Sequence, residues 1–305
     1  MIDVALIGTG GMMPLPGRFL SSMLCRVNGR MMLFDCGEGT QVSLRMLGWG
    51  FKQIDMICFT HFHGDHISGL PGLLLTMANA ERTEPLKLFG PTGLAHIVKS
   101  LCVIAQELPF PLEFYEWDGR TTHTHEMDML TIRTLPLNHR APCFAYSIEL
   151  ARRGKFDPER AKAKNIPLQI WSQLQKQNEE SIVYDGKTYH SDMVLGPPRP
   201  GLKLVFCTDT RPVAALPSFA HNADLFICEG MYGDPAQQEK TAARKHMTFM
   251  EAAEIAKAAQ VRELWLTHFS PALPDPYNYL HNATAIFPHT KTGKDRMTKT
   301  LVFTS

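Results

Sequence analysis

The chain alternates between short apolar runs typical of β-strands and segments with helical patterning, and this alternation limits its possible folds more than any other feature. The strand-like runs are Val4–Ile7, Met31–Phe34, Met56–Phe59, Leu86–Phe89, Leu112–Tyr115, Leu130–Leu135, Phe144–Ile148, Leu202–Cys207, Leu225–Cys228, Leu264–Thr267 and Thr300–Phe303. The helical segments are Leu70–Ala80, Leu94–Leu108 and Phe249–Ala259. Because strands outnumber helices and both halves contain strand-then-helix units, the sequence predicts a layered α/β sandwich.

The composition is that of a globular protein without a strong net charge. The 305 residues carry 31 basic and 30 acidic side chains, so no global field draws the chain to nucleic acid or to an anionic membrane. No apolar stretch reaches the roughly 18 residues that a membrane span requires, and residues 1–8 are typical of a first strand rather than a signal peptide. The 7 cysteines form no Cys-x-x-Cys pair, which predicts reduced core residues in a cytoplasmic protein.

Residues 60–66 read Thr-His-Phe-His-Gly-Asp-His, a cluster of potential metal ligands directly after a strand-like run. At the alternating period of a strand, His61 and His63 point to one side and can bind one metal ion. Asp65 and His66, where the chain turns toward a helix, are free to face a second ion. Imidazole and carboxylate groups suit zinc, or manganese in a more oxygen-rich site. A His-rich surface turn is the alternative, but such groups rarely crowd a strand end without a partner.

Further potential ligands follow other strand-like runs. His139 comes after Leu130–Leu137, Asp209 directly follows Leu202–Thr208, and His268 closes a third run. Each alone is weak evidence, but parallel neighbouring strands could bring all of them to one edge of a sandwich, where such sites are usually built. A carboxylate can also present one oxygen to each of two ions. The sequence therefore indicates a dinuclear site that includes Asp209.

Other histidines differ in what surrounds them. His246 lies two residues before Thr248, which forms a capping-box pair with Glu251 at the start of a helix. Free N–H groups and the helix dipole favour an anion there, so His246 could meet a phosphate; a surface histidine beside a cap is the alternative. His123 and His125 lie in a polar stretch without further ligands, and we expect them to be exposed.

The segment 151–201 differs from the rest of the chain because it is rich in basic residues. It combines a run of arginines and lysines with a second amphipathic stretch around Trp171. Composition alone fits two interpretations equally well, a solvated helical hairpin or a basic protruding arm, because charge runs are usually solvated faces.

These motifs together resemble the ribonuclease Z family, the tRNA 3′-processing endonucleases of the metallo-β-lactamase superfamily. The resemblance runs nearly end to end. Its motifs are Leu6-Ile7-Gly8-Thr9-Gly10, Phe34-Asp35-Cys36-Gly37-Glu38-Gly39-Thr40-Gln41, the heptapeptide at 60–66, Gly69-Leu70-Pro71-Gly72-Leu73, Gly90-Pro91, Asp209-Thr210-Arg211 and His246-Met247-Thr248.

The resemblance implies a four-layer αβ/βα sandwich with a protruding helical arm, formed by residues 1–305 as a single domain in which residues 151–201 are an inserted basic arm that binds RNA. It implies two Zn²⁺ ions, with Mn²⁺ possible. The first ion would be bound by His61, His63 and His139, and the second by Asp65, His66 and His268. Asp209 would bridge both ions. Asp65 would accept a proton, and His246 would lie beside the scissile phosphate of a tRNA precursor. Family members are usually homodimers.

The chain departs from the family pattern in three places, all on the substrate side. These are Pro14–Phe19, which keeps only Arg18 of a basic loop, Pro167–Ile170, which lacks a Gly-Pro step, and Ser270–Ala272, which lacks an arginine. The leading hypothesis is a zinc-dependent endoribonuclease that removes the 3′ trailer of tRNA precursors through metal-activated water. The alternatives are a metal-dependent hydrolase of a small phosphodiester or other ester, and a non-catalytic RNA-binding protein.

Carboxylates that end strands could orient the ligand imidazoles. Asp35, Glu38 and Glu229 are the candidates, since each could accept an N–H from a ligand histidine. Their alternative role is that of ordinary turn residues.

Overall fold

Two mixed β-sheets packed face to face form the centre of the computed structural model, which describes residues 1–105, 107–175 and 181–304. The strands, in chain order, are β1 (Ile2–Gly8), β2 (Ser22–Val27), β3 (Arg30–Phe34), β4 (Ile54–Cys58), β5 (Leu86–Pro91), β6 (Leu112–Trp117), β7 (Thr124–Met127), β8 (Leu130–Pro136), β9 (Phe144–Arg152), β10 (Ser181–Tyr184), β11 (Lys187–His190), β12 (Arg199–Cys207), β13 (Leu225–Glu229), β14 (Leu264–Thr267), β15 (Thr290–Thr292) and β16 (Thr298–Leu301). The first sheet has the order β16-β1-β2-β3-β4-β5-β6, and the second sheet has the order β15-β14-β13-β12-β9-β8-β7.

Most of the described helices cover the outer faces of the two sheets, and two lie in the segment between β9 and β12. The helices are α1 (Thr40–Leu47), α2 (Gly64–Ile67), α3 (Leu70–Asn79), α4 (Leu94–Leu101), α5 (Pro158–Ala163), α6 (Trp171–Leu174), α7 (Leu216–Phe219), α8 (Gln238–Arg244), α9 (Phe249–Ala258) and α10 (Leu280–Thr284). Three buried apolar clusters separate the layers. One lies between the sheets, one joins the first sheet to α1, α3 and α4, and one joins the second sheet to α7, α9 and α10. This arrangement confirms the predicted four-layer sandwich.

Each sheet has parallel strand pairs on one side and antiparallel pairs on the other. These strand directions determine where the candidate ligands lie. In the second sheet β12, β13 and β14 are parallel, whereas β9 is antiparallel to both β12 and β8. Strands β8, β12, β13 and β14 therefore all end at the same edge. In the first sheet β4 is parallel to β3 and β5, and the heptapeptide at 60–66 follows its end.

Most predicted strands and helices are present, and the elements that the sequence did not indicate are polar or short. β2 contains Ser22 and Arg26, β7 reads Thr-His-Glu-Met, and β15 has three residues. Such segments lack a long apolar run, and pairing with neighbouring strands makes them part of a sheet: β2 pairs with β1 and β3, whereas β7 and β15 are edge strands that each pair with one neighbour. The helix predicted over Leu94–Leu108 ends at Leu101, followed by a 3-10 turn over Cys102–Ile104; residue 106 lies outside the described residues.

The prediction that His123 and His125 are exposed is wrong for their rings. The His123 ring stacks on Trp117 with centroids 5.5 Å apart, and the His125 ring packs 4.8 Å from that of Phe89. Both residues are half-buried. His123 directly precedes β7 and lies two positions before His125, so both imidazoles face the same side of the extended chain and reach the aromatic cluster at the edge of the sheets.

The basic segment is an insertion between β9 and β12 with a small core of its own. β9 continues to Arg152 and β12 begins at Arg199, so the inserted segment proper is 153–198. Its core is formed by Ala161, Ile166, Ile170, Leu174, Val194 and Leu195. Residues 176–180, within the predicted arm, lie outside the described residues.

Both α-helices described in this insertion lie in its first half. Its second half contains the antiparallel pair β10 and β11. The connecting residues Asp185 and Gly186 have φ angles of 49° and 72°, as a two-residue hairpin turn of this twist requires. The Asp-Gly dipeptide was the sequence signal for this hairpin.

Within the described residues, no helix has both the length and the apolar character to cross a membrane. All seven cysteine side chains are buried, in agreement with their predicted place in the core.

Glu263 links the ends of the two sheets and provides a test of this packing. It accepts hydrogen bonds from Lys299 on β16, Lys291 on β15 and the Trp265 indole. Burial raises the pKa of Glu263, but these donors outweigh burial and hold it at about 2, against an ordinary value of 4.5. The ionised form therefore stabilises the fold above pH 4.5, and this stabilisation is lost as the pH falls toward 2.

We expect Glu263→Gln to lower the free energy of unfolding at pH 7 by about 1–2 kcal/mol, because two charged donors lose their acceptor charge. Urea unfolding at pH 7 and at pH 3.5 measures this difference, which should shrink at the lower pH. Glu254→Gln, at an exposed position on α9, is the matched control and should change stability by less than about 0.5 kcal/mol. An equal loss for both variants would contradict the role of Glu263.

Candidate metal centre

The structure brings the seven predicted ligands together at the shared edge of the two sheets, in two groups. The first group is His61, His63, His139 and Asp209, and the second is Asp65, His66 and His268. Within each group, one potential ligand atom per residue lies within 4.8 Å of all the others. The heptapeptide belongs to the first sheet, and His139, Asp209 and His268 follow strands of the second, so the centre is built by both halves of the chain.

The Asp209 carboxylate lies between the two groups and presents one oxygen to each. Its Oδ2 is 3.6 Å from Nε2 of His61 and 3.6 Å from Nε2 of His139. Its Oδ1 is 3.2 Å from Nε2 of His66 and 3.0 Å from Nε2 of His268. Asp209 therefore has the position that a bridging carboxylate would occupy.

Buried nitrogen and oxygen atoms in this centre suit divalent metal ions. Among the described residues, His61 Nε2 and Asp209 Oδ1 are buried atoms without a hydrogen-bond partner. Nε2 of His66 lies 3.1 Å from Nε2 of His268, close to the roughly 3.3 Å between ligand atoms that tetrahedral zinc bonds of about 2.0 Å imply. Buried polar atoms without partners are costly, and a bound cation would provide the missing interaction.

Asp35 and Thr60 orient the imidazoles of His66 and His61 through contacts on the side of each ring that faces away from the centre. His66 donates from Nδ1 to Asp35 Oδ2 at 2.7 Å, and the Thr60 backbone N–H donates to Asp35 Oδ1 at 2.7 Å. The Thr60 hydroxyl also lies 3.1 Å from Nδ1 of His61. These contacts leave Nε2 of both imidazoles facing the centre, as ligand histidines require. Thr60 begins the heptapeptide, but nothing in the sequence indicated this role.

Backbone conformation at the centre is strained. Asp35, Asp209 and His268 have φ angles of 58°, 38° and 58°, in the left-handed region that residues with a Cβ rarely adopt. Such conformations persist where the surrounding structure imposes them, and they cluster at functional sites. Here each one turns a side chain back toward the centre directly after a strand.

Neighbouring charges decide the pKa shifts in the centre. Burial opposes ionisation of His66, but the carboxylates of Asp209 and Asp35 raise its pKa well above its usual value. Burial also opposes ionisation of Asp209, but the imidazoles of His268, His66 and His61 hold its pKa well below its usual range. The buried carboxylates of Asp35 and Asp209 are thus stabilised by positive charge near them, and divalent ions can supply such charge.

His246 lies beside both groups and is held by Glu229. The His246 ring centroid is 5.5 Å from those of His139 and His268. Its Nδ1 donates to Glu229 Oε2 at 3.1 Å. Burial would lower the pKa of His246, but Glu229 raises it. His246, Asp209 and His268 also place ligand atoms within 4.8 Å of one another, so geometry alone allows His246 either as a ligand or as a group facing substrate.

Three contacts that the sequence did not indicate hold the loops of the second sheet. Arg211 forms an ion pair with Glu251 and donates from Nη1 to the His246 carbonyl oxygen at 2.6 Å. His139 donates from Nδ1 to the Lys245 carbonyl at 3.2 Å. Glu251 also completes the predicted capping box with Thr248. The loops after β8, β12 and β13 are therefore connected to one another.

Two other candidates differ from expectation. The Glu38 side chain is exposed, so it does not back a ligand imidazole. Glu229 orients His246 and accepts the Thr210 backbone N–H at 2.5 Å, rather than backing one of the seven candidate ligands. A carboxylate that follows a strand can point into the protein or toward solvent, and the sequence pattern alone does not distinguish these two orientations.

The chain is similar to several known proteins. A family model described as "Anti-Pycsar protein Apyc1" matches residues 2–148. Ribonuclease Z of Lachnoclostridium phytofermentans is 51% identical over 99% of both chains. The crystal structure of human tRNase Z, short form, is 25% identical, with a TM-score of 0.71 and coverage of 99% of this chain and 100% of that one. The metallo-β-lactamase fold protein YhfI from Bacillus subtilis is 19% identical, covers 98% of each chain and has a TM-score of 0.69, which shows the fold.

Half of the residues are thus identical to those of a curated relative along nearly the whole length of both chains. The chain belongs to the ribonuclease Z family, with the metallo-β-lactamase fold.

Proposed function

We propose that the chain is a divalent-metal-dependent endoribonuclease that removes the 3′ trailer of tRNA precursors, as a single domain with the inserted basic arm at 151–201. The observation that carries this proposal is the position of Asp209, with one carboxylate oxygen toward each group of candidate ligands, in a member of the ribonuclease Z family. We further propose a cytoplasmic homodimer.

We assign His61, His63 and His139 to one zinc ion, Asp65, His66 and His268 to the other, and Asp209 to both. Imidazoles and carboxylates in these numbers fit zinc, and manganese is the alternative. When bound, such ions lower the pKa of water and neutralise charge on phosphate oxygens.

Two residues have the positions needed for proton transfer. Asp65 is half-buried, and its Oδ2 lies 3.3 Å from Nε2 of His268; it can orient an attacking water and accept its proton. His246, whose pKa Glu229 raises, can donate a hydrogen bond or a proton to the phosphate or to the leaving oxygen. The bond that Nδ1 of His246 makes to Glu229 leaves Nε2 for this task.

The inserted arm supports RNA as the substrate. A cavity of about 690 Å³ at its base is lined by Arg153, Arg160, Lys164 and His190, with Asp192 as an acidic neighbour. Arg160, Lys162 and Lys164 are exposed. With a net charge of +1 over the whole chain, this local concentration of positive charge is where a phosphate backbone would be attracted.

A pre-tRNA with a 3′ trailer, incubated with the metal-loaded protein, tests the activity directly. Cleavage at the 3′ side that stops when the metal is chelated supports the proposal. An intact precursor, together with turnover of a small chromogenic phosphodiester, would instead support the alternative hydrolase.

We expect Asp209→Ala to abolish binding of both metal ions and to reduce cleavage by more than about 10³-fold, because both groups lose a shared ligand. Metal content measured by equilibrium dialysis and retained RNA binding separate this effect from unfolding. Asp224→Asn is the matched control, since Asp224 is also nearly buried but precedes β13 at its opposite end. If Asp209→Ala still binds two ions, the bridging assignment is wrong.

His246→Ala should lower kcat by about 10²–10³-fold while two metal ions remain bound, because general acid catalysis contributes in that range. Single-turnover cleavage and metal content are the two measurements. Glu229→Gln should lower kcat in the same direction but less strongly, since the imidazole remains. Loss of a metal ion in His246→Ala would show that His246 is a ligand rather than a proton donor.

Removal of charge from the arm should weaken RNA binding without changing the chemistry. We expect the triple change Arg160→Gln, Lys162→Gln and Lys164→Gln to raise KM for pre-tRNA about tenfold, to leave kcat unchanged and to reduce the salt dependence of binding. The control carries Gln at Lys52, Lys99 and Lys257, which are exposed on other parts of the fold. An equal rise of KM in the control would contradict a specific role for the arm.

A variant that lacks the arm also tests whether the arm is needed for cleavage of pre-tRNA. Arg152 and Arg199 are paired across the antiparallel strands β9 and β12, so a short Gly-Asn-Gly turn can replace residues 153–198. This variant should retain both metal ions and lose cleavage of pre-tRNA.

A further inference from the structure

The loop between Thr9 and Phe19 touches both sides of the second group of candidate ligands. The Met12 backbone N–H donates to Asp65 Oδ2 at 2.7 Å. Gly11 lies against the His268 ring, where an added Cβ would come within 2.6 Å of Cε1. The loop therefore orients one candidate ligand by a hydrogen bond and another by contact.

The two ends of this loop are held together by one carboxylate from a distant part of the chain. Asp295 Oδ1 accepts from the Thr9 hydroxyl at 2.7 Å, and Asp295 Oδ2 accepts from the Phe19 backbone N–H at 2.6 Å. The Thr9 N–H also donates to the Phe19 carbonyl at 3.1 Å. Asp295 thus closes the neck of the loop, with one oxygen on each strand of the neck.

Asp295 can do this because the segment that carries it is itself attached to both sheets. Residues 293–297 connect β15 of the second sheet to β16 of the first. Gly293 N–H donates to the Leu266 carbonyl at 2.7 Å, and Arg296 N–H donates to the Leu6 carbonyl at 2.6 Å. The carboxylate is therefore held at a fixed position relative to β14, which leads into His268, and β1, which leads into Thr9.

Arg18 attaches the same loop to the segment after His268. Its guanidinium donates to the Leu273 and Pro274 carbonyls at 2.8 and 2.7 Å and lies over the Phe269 ring. These bonds occupy Nη1 and Nη2, so Arg18 acts here as a structural contact. The loop is consequently fixed at its neck by Asp295 and at its side by Arg18.

We propose that Asp295 is a positioning residue for the metal centre, which keeps the Met12 N–H on Asp65 and Gly11 against His268 by closing the neck of the loop. This inference rests on the proposed role of Asp65 and His268 as ligands. Outer hydrogen bonds of this kind set the orientation of metal ligands, and their loss commonly costs 10- to 100-fold in metal affinity.

The test measures metal binding by the full-length protein after chelation, with Zn²⁺ added in equilibrium dialysis. Asp295→Ala should bind the ion assigned to Asp65, His66 and His268 about tenfold more weakly. The affinity for the other ion should be unchanged. Asp295→Asn, which keeps one acceptor oxygen, should lie between Asp295→Ala and the wild type. On pre-tRNA, kcat should fall and KM should stay the same.

Two controls separate positioning from a general loss of stability. Lys294→Ala changes an exposed neighbour in the same turn, and Glu263→Gln weakens the attachment of the strands on either side of this turn. Both should bind two ions with wild-type affinity. Thr9→Val should weaken the same ion as Asp295→Ala and add nothing in the double variant, because both changes remove one shared contact.

Unchanged affinity for both ions in Asp295→Ala, or an equal loss for both, would overturn the inference. A wild-type chain that binds fewer than two ions would overturn the ligand assignment and this inference with it. A wild-type chain that binds two ions and leaves pre-tRNA intact would overturn only the proposed function.

Discussion

The buried carboxylate of Asp209 is the interaction on which the centre depends. It is 2% exposed, and its oxygens lie 3.0–3.6 Å from imidazole nitrogens of His61, His66, His139 and His268. A buried carboxylate is stable only with positive charge or hydrogen-bond donors around it. Because its partners come from both sheets, this requirement holds the first half of the chain against the second.

The remaining structure of the centre directs these side chains toward one point. Asp35 fixes the His66 imidazole, Glu229 fixes that of His246, and the Lys245 carbonyl fixes that of His139. Left-handed backbone at Asp35, Asp209 and His268 costs free energy that the packed strands beside it offset. Rigid strands with strained turns at their ends can hold ligands more accurately than flexible loops could.

The segment that we propose binds RNA lies in a different part of the molecule. The inserted segment 153–198 has its own small core, so its charges can change without disturbing the packing between the sheets. Pro14–Phe19 departs from the family pattern, and the structure shows that its Arg18 binds backbone carbonyls. Arg18 therefore contributes to the architecture of the loop beside the candidate metal centre.

The sequence by itself determined the layered α/β class and the candidate ligands, since apolar runs and the spacing in Thr60–His66 depend only on local order along the chain. It did not determine which residues orient the candidate ligands. Asp35 and Glu38 follow the same strand-like run, and only the fold buries Asp35 and leaves Glu38 exposed. The sequence also missed the strand β7 and the hairpin of the arm. The contact of Asp295 with Thr9 joins residues 286 positions apart, and no local pattern encodes such a pair. Only tertiary structure decided which ends of strands and loops meet, because that depends on the packing of two sheets whose order differs from the order of the chain.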